Sequence, residues 1–331
     1  MKDLSNELTG SVTDERPGSG AASVLTVDTG SDQQRIDNYL LRECKGVPRS
    51  HIYRIVRSGE VRVNSRRVAP TYRVQAGDRV RVPPIRLAAP KERRAPPVTL
   101  PVLFEDEALL AVDKPAGLAV HGGSGISFGV IERLRAARPG LRFLELVHRL
   151  DRETSGVLML AKKRSALTGL HAALREGRTG KTYLALVKGR WRGSERRVEL
   201  GLRKTLSHAG ERRVLVDAEG MASLTVFRPR QAYQGCTLME AELHTGRTHQ
   251  IRVHLAHIGF PIAGDDKYGD FEWNRELVRN GMKRMFLHAV EFRFEHPLEG
   301  GALAVRAPLP AALADWLGTL EQKPAGHAPK R

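Results

Sequence analysis

Cysteine is nearly absent from this chain. Its 331 residues include two, Cys44 and Cys236, far apart and in no paired motif. That excludes a disulfide framework and a cysteine-based zinc site. Long apolar runs are absent as well. None approaches the roughly 20 residues needed to span a bilayer, so no membrane contact is expected. The first thirty residues have no apolar signal-peptide core and are acidic rather than basic, which makes a cytoplasmic protein the default. Negative charge is the third shortage. Against 54 Lys plus Arg stand 37 Asp plus Glu, a formal net charge of +17. A surplus of that size favours a polyanionic partner, because lysine and arginine bound to phosphates release counterions.

Apolar residues make up 41% of the chain, enough for a substantial core in at least one of two domains. Residues 1–30, rich in Ser, Thr, Gly and Asp without hydrophobic periodicity, read as a disordered tail. Residues 33–86 read as a small separate α/β domain. Arg35 to Leu41 has helical spacing. A second helix carries Ile52, Ile55 and Val56, with Ser50 as its cap and Gly59 suited to its end. Two alternating strands follow, Glu60 to Asn64 and Arg79 to Val82. Thirteen Lys and Arg lie in this stretch against four acids, about half of the excess of the whole chain. A compact basic unit of this kind suits RNA recognition through shape and phosphate contact. Residues 87–98, with Pro90, Pro96 and Pro97, read as a semi-rigid linker. A larger domain runs over 99–318, and 321–331 read as a loose tail. Its short apolar runs, among them Leu109 to Val112, Val157 to Ala161, Tyr183 to Val187 and Ala222 to Phe227, read as strands. Helices are expected over Ile126 to Ala137, Arg164 to Glu176 and Thr248 to Ile258. More strands than helices predict an α+β domain around a mostly antiparallel mixed sheet.

Several stretches could carry chemistry. His148-Arg149-Leu150-Asp151-Arg152-Glu153-Thr154-Ser155-Gly156 is a polar connection between two apolar runs, the sort of loop on which a rigid scaffold displays reactive groups. Read alone, Asp151 is as well explained by solvated ion pairs. Asp113 to Gly117 followed by Val120 to Gly125 brings a strand into a Gly-rich loop. Exposed amides there suit a phosphate, yet the Gly-Lys-Ser/Thr ending of a nucleotide loop is missing. Tyr183 opens an apolar strand, as a core residue or as a platform for a base. His244, His249, His254 and His257 lie close in sequence, but without a His-Glu-x-x-His pair or an acidic ligand they argue against a metal. Arg247 and Arg252 in the same turn and helix fit phosphate binding or carboxylate pairing better. Asp265-Asp266 reads as a structural turn.

Two of these regions resemble known families. Gln34-Arg35-Ile36-Asp37 and Gly59-Glu60-Val61-Arg62-Val63-Asn64 are similar to the S4 RNA-binding domain. That likeness implies RNA contacts from Arg35, Arg49, Arg54, Arg57, Arg62, Arg66 and Arg67. The 148–156 stretch, Lys181-Thr182-Tyr183 and Gly246 to His254 occur in the order found in the RluA family of pseudouridine synthases. The likeness extends to Lys114-Pro115-Ala116-Gly117 and Phe286-Leu287-His288-Ala289. Glu153 departs from it mildly, since many relatives carry Asp there. The resemblance implies isomerisation of uridine to pseudouridine in 23S ribosomal RNA, free or in an assembling large subunit, with no metal or other cofactor; no pattern in the chain encodes an oligomeric state, and a monomer is the default. It implies Asp151 as catalytic carboxylate, kept ionised by Arg252, with Tyr183 stacked on the uracil. Arg149 would displace the base, Ile251 would pack beneath it, and His148, Arg152, Arg247, His249 and Lys114 would complete the RNA-contacting set. A non-catalytic RNA-binding or assembly factor would share the charge and the S4-like part, but it gives no reason for Asp151, Tyr183 and Arg252.

Overall fold

The computed structural model describes residues 22–44, 46–85, 95–123, 126–206 and 212–320. The chain divides into two units, Met1–Arg93 and Arg94–Arg331.

In the first unit, strands β1 (Ser23–Thr26), β2 (Arg62–Val63) and β3 (Arg79–Val82) form an antiparallel sheet in the order β1-β3-β2. Helices α1 (Ile36–Glu43) and α2 (Arg49–Arg57) add Ile36, Tyr39, Leu40, Ile52, Ile55 and Val56 to its core. The spacing Ile52, Ile55, Val56 puts three apolar side chains on one face of α2, and they pack with Ile36, Leu40, Val61, Val74 and Val80. Two expectations need correction. Residues 23–26 are not part of a loose tail. They pair residue for residue with β3, from Ser23 opposite Val82 to Thr26 opposite Arg79, and Val27 is buried in the core. A four-residue strand is too short to announce itself by composition, and it is held by the free edge of β3. Residues 1–21 lie outside the described residues, as do 86–94 of the expected linker and the expected tail 321–331. Nor does Ser50 cap α2; Pro48 precedes the helix with no side-chain cap, and a proline needs no partner for an N–H it lacks. Gly59, at φ +76°, does follow its end.

The second unit begins with β4 (Val102–Glu105), β5 (Leu109–Lys114), α3 (Val130–Ala137), β6 (Glu145–Leu146), β7 (Ser155–Ala161) and α4 (Arg164–Arg175). It continues with β8 (Gly180–Lys188), β9 (Arg196–Leu206), β10 (Arg212–Val216), β11 (Met221–Tyr233), β12 (Cys236–Leu243) and α5 (Gln250–His257). It closes with α6 (Phe271–Arg279), β13 (Leu287–Glu295), β14 (Ala302–Arg306) and α7 (Ala311–Gly318). Eleven strands make one sheet, in the order β10-β9-β11-β12-β8-β13-β7-β5-β4, with β14 on β13 and β6 on β7. The pairing of β13 with β7 is parallel and the other strand pairs are antiparallel, so the sheet is mixed and mostly antiparallel, as expected.

That parallel contact sets the geometry of everything functional. It consists of two residue pairs, His288 with Ser155 and Ala289 with Gly156. Through it the β5–β7 half of the sheet joins the half that contains β8. Ala289 also faces Tyr183, which in turn faces Ala241. One row therefore runs Gly156, Ala289, Tyr183, Ala241, with small residues around the tyrosine. The loop that carries Asp151 enters β7 at the end of this row. Gly156 sits at φ +111°, and a Cβ there would meet the Ala289 carbonyl oxygen at 2.1 Å. Both the backbone conformation and the close approach demand glycine. We therefore expect Gly156→Ala to destabilise the second unit by at least about 3 kcal/mol, measured by urea unfolding.

Candidate active site

The polar 148–154 loop is held from inside. Lys114, at the end of β5, is fully buried. Its Nζ donates to the carbonyls of Pro115 (2.7 Å), Leu118 (2.8 Å) and Arg152 (3.1 Å). The Gly117 N–H donates to the same Arg152 carbonyl at 2.8 Å. Register explains the meeting, since Lys114 lies opposite Gly156 in the β5–β7 ladder. Burial pushes the lysine pKa down to about 7, while three carbonyls use all three N–H bonds of the ammonium. Lys114 thus fixes the loop backbone and does not reach out to RNA, which corrects that expectation.

Asp151 stands next on the loop, with its side chain 26% exposed. It lines a cavity together with Arg149, Thr154, Tyr183, Leu243, Arg247, His249, Ile251, Arg252 and Leu287. Arg252 Nη1 lies 3.4 Å from Asp151 Oδ2, and His249 Nε2 lies 3.9 Å from Oδ1. The much stronger partner of Arg252 is Asp265. Their contact is bidentate, Nε to Oδ2 at 2.8 Å and Nη2 to Oδ1 at 2.7 Å, with side chains 3% and 1% exposed. Asp266 adds a contact at 3.2 Å, and the guanidinium lies over the Tyr268 ring at 5.2 Å. Burial disfavours the charge of Arg252, but its hydrogen bonds to Asp265 and the surrounding carboxylates outweigh that, so its pKa is raised. Burial would raise the pKa of Asp265, and the arginine reverses it. The guanidinium is thus anchored by Asp265 and offers Asp151 only one long contact. The Asp151 carboxylate keeps acceptor capacity for a bound molecule.

Helix α5 is buried over Gln250–Leu255, not along one apolar stripe. Its polar members need internal partners, and all but His254 Nδ1 have them. Gln250 accepts from Thr245 Oγ1 and the Arg247 N–H, and donates to the Leu224 carbonyl and Thr225 Oγ1, tying the turn before the helix to β11. His254 Nε2 meets Ser223 Oγ at 2.8 Å. His249 precedes the helix at φ +54°, a left-handed conformation that a non-glycine residue adopts at some cost. The Tyr268 hydroxyl accepts the Val214 N–H (2.9 Å) and lies 2.8 Å from His249 Nδ1. Burial lowers the His249 pKa and the Asp151 charge opposes the shift. The four histidines of this region have separate environments, and no group of metal-holding side chains exists among the described residues.

Tyr183 is buried, and desolvation followed by the Asp151 charge raises its pKa, so its hydroxyl is a donor rather than a phenolate. Ile251 and Arg149 line the same cavity, as expected. Three other residues expected to contact RNA stand in different surroundings. His148 does not line the cavity. Its ring stacks on Phe292 at 5.0 Å and its Nε2 accepts the Met159 N–H; burial pushes its pKa down to about 4. Arg152 lies outside the cavity and pairs with Glu153 at 2.7 Å. In the first unit, Arg35 is held by buried Asp37 at 2.9 and 3.1 Å, whereas Arg49, Arg57 and Arg66 are exposed. The Gly-rich loop spends its amides internally. Gly122 and Gly129 N–H both donate to Glu132, so helix α3 starts at Val130 and not at Ile126; Ser124 and Gly125 lie outside the described residues. Asp265, Tyr268 and Gln250 were not foreseen as parts of the site. The only signal was the polar run Gly264 to Gly269, read as a turn; that turn also exists, with Asp265 Oδ1 accepting the N–H groups of Lys267 and Tyr268.

Comparison with known proteins finds relatives of both units. The RNA pseudouridylate synthase family profile matches residues 108–257 and the S4 domain profile matches 34–80. Ribosomal large subunit pseudouridine synthase C of Pasteurella multocida (strain Pm70) is 50% identical over 321 residues, covering 95% of this chain and 98% of that protein. The protein of the same name from Escherichia coli (strain K12) is 49% identical, covering 91% and 97%. Among solved structures, human RNA Pseudouridylate Synthase Domain Containing 1 shares the fold with a TM-score of 0.56 at 24% identity, covering 70% of this chain and 91% of that one.

The dominance of the Arg252–Asp265 pair has a measurable consequence. Asp265→Ala should cost about 3–5 kcal/mol, because it strands a buried guanidinium. Denaturant unfolding would show this; a loss below about 1 kcal/mol would mean that Asp151 and Asp266 already suffice to hold the arginine.

Proposed function

This chain belongs to the RNA pseudouridylate synthase family, and we propose that it isomerises uridines of 23S ribosomal RNA to pseudouridine, with Asp151 as the catalytic carboxylate. The observation that carries this reading is the partly exposed Asp151 carboxylate, set in a cavity with Tyr183 and an arginine whose main partner is another acid. The names and extent of the curated relatives support a large-subunit RNA substrate, and the S4 match supports RNA docking by the first unit, for which Arg49, Arg57 and Arg66 offer exposed charge.

The reaction breaks the N1–C1′ bond, turns the uracil within the site and joins C5 to C1′. The C5 hydrogen leaves and N1 gains one, so no redox step is involved. A carboxylate beside the sugar can act as nucleophile on C1′ or as base for the 2′ proton, and in either role it must be anionic. The target must first leave its stack, because its reacting atoms are covered in a helix. Arg149, exposed at the cavity wall, is suited to fill the space the base vacates. Tyr183 offers a ring for the uracil and a hydroxyl that stays protonated. Ile251 closes the floor. An enzyme with this substrate works in the cytoplasm, on free RNA or on the assembling subunit.

Asp151→Asn keeps the size and removes the charge. With 23S RNA lacking modification, we expect product formation to fall by a factor on the order of 10⁴ while RNA affinity stays within a few-fold. Full activity of this variant in pseudouridine mapping would refute the assignment.

A further inference from the structure

Beside the Asp151 cavity lies a second one of about 450 Å³. Arg149, Tyr183 and Gly246 belong to both. The second cavity adds Lys181, His171 and Leu174, and no carboxylate lines it. Lys181 is the unusual member. Only 8% of its surface is exposed, and its ammonium has no hydrogen bond or ion pair among the described residues. Desolvation lowers its pKa with no acid to oppose the shift. The contrast with Lys114 is instructive, since that buried ammonium has a carbonyl for each N–H. The stem of Lys181 is buried and its ammonium opens into this cavity without a protein counter-charge, an arrangement that favours an anion there; the histidines nearby do not supply one. His148 is uncharged at neutral pH, and His171 Nε2 is taken by the Val147 carbonyl.

Geometry ties this lysine to the reacting nucleotide. Lys181 and Tyr183 are alternate residues of β8, on the same face of the sheet and about 7 Å apart along the strand. A methyl group on Gly246 would stand 3.8 Å from Lys181 Nζ, so the ammonium sits beside the turn that leads to Arg247, on the wall shared by the two cavities. We propose that Lys181 and Arg149 form a phosphate subsite that holds the phosphodiester of a nucleotide adjacent to the uridine at Asp151. The subsite rests on the reading of that cavity as the catalytic one. In it the unpaired ammonium finds its counter-charge when RNA binds, and the RNA strand is fixed on both sides of the wall.

The test uses the full chain carrying Asp151→Asn, so that RNA binds without turnover, and an rRNA fragment that contains a modified position. Adding Lys181→Met should weaken binding about tenfold and reduce the slope of log K against log salt by about 0.7. Lys181→Arg should restore most of both. RNAs in which a single linkage flanking the target is an uncharged methylphosphonate give the direct comparison. One of them should lose about tenfold with Lys181 present and nothing further with Lys181→Met, as a double-mutant cycle requires of partners. Binding by Lys181→Met within twofold at unchanged slope would overturn the proposal, as would a loss that is the same on every neutral-linkage RNA. Lys181→Met removes a buried charge, so its melting temperature should equal or exceed that of the parent; a lower one would mark Lys181 as structural and count against the subsite. Product formation by the unsubstituted chain is scored separately. RNA held through Lys181 without any pseudouridine made would refute the catalytic reading and leave the phosphate contact standing.

Discussion

The buried ion pair between Arg252 and Asp265 is the constraint on which the site depends. A guanidinium inside a helix enclosed by protein is tolerable only with a partner of matching geometry, and Asp265 supplies it bidentately. That partner is itself fixed, because its oxygen accepts two backbone N–H groups and its carbonyl accepts from Asn274. The result is a cation whose position owes little to Asp151. Asp151 can then change its partner during a reaction without the arginine following it. A site in which Asp151 alone held Arg252 would give up that freedom, since each would be the other's only relief from desolvation.

The second constraint is the short parallel contact of β7 with β13. It brings the start of β7 beside β8, and so the Asp151 loop beside Tyr183, while the small residues Gly156, Ala289 and Ala241 leave room around the tyrosine ring. Lys114 and Gly117 then grip the loop through the Arg152 carbonyl, one residue from the carboxylate. Placement of Asp151 is thus achieved by backbone contacts, while Arg149 and Arg152 on either side of it are exposed.

Much of the fold could be read from the sequence, and the failures have physical causes. Helix α4 and the paired apolar positions of α2 stand out by period alone. Strand β11 was visible only over Ala222 to Phe227, because Pro229 and the charged residues after it break the alternation; the structure absorbs them in a bulge between Pro229 and Gln231. The S4-like unit was recognisable, yet its first strand was not, since a four-residue edge is specified by the strand it joins. In the site, Asp151 and Arg252 lie 101 residues apart. Strand order, which no local pattern encodes, brings them together; the family likeness stood in for that information. Lys114 and His148 were misread for one shared reason. A polar side chain in a polar motif looks available, but these two spend their hydrogen bonds on backbone groups, which have no residue identity. Asp265 was missed from the opposite side, because its turn gave a sufficient local account of it.

The central claim is that this cavity turns a uracil so that C5 replaces N1 on the sugar. That exchange must release the hydrogen from C5. The most direct measurement is therefore release of label from 23S ribosomal RNA transcribed with uridine tritiated at C5. Tritium should enter water with a fixed small number of uridines reacting per RNA molecule, in step with pseudouridine found at the same positions. Tight binding of that RNA with no tritium released would contradict the account.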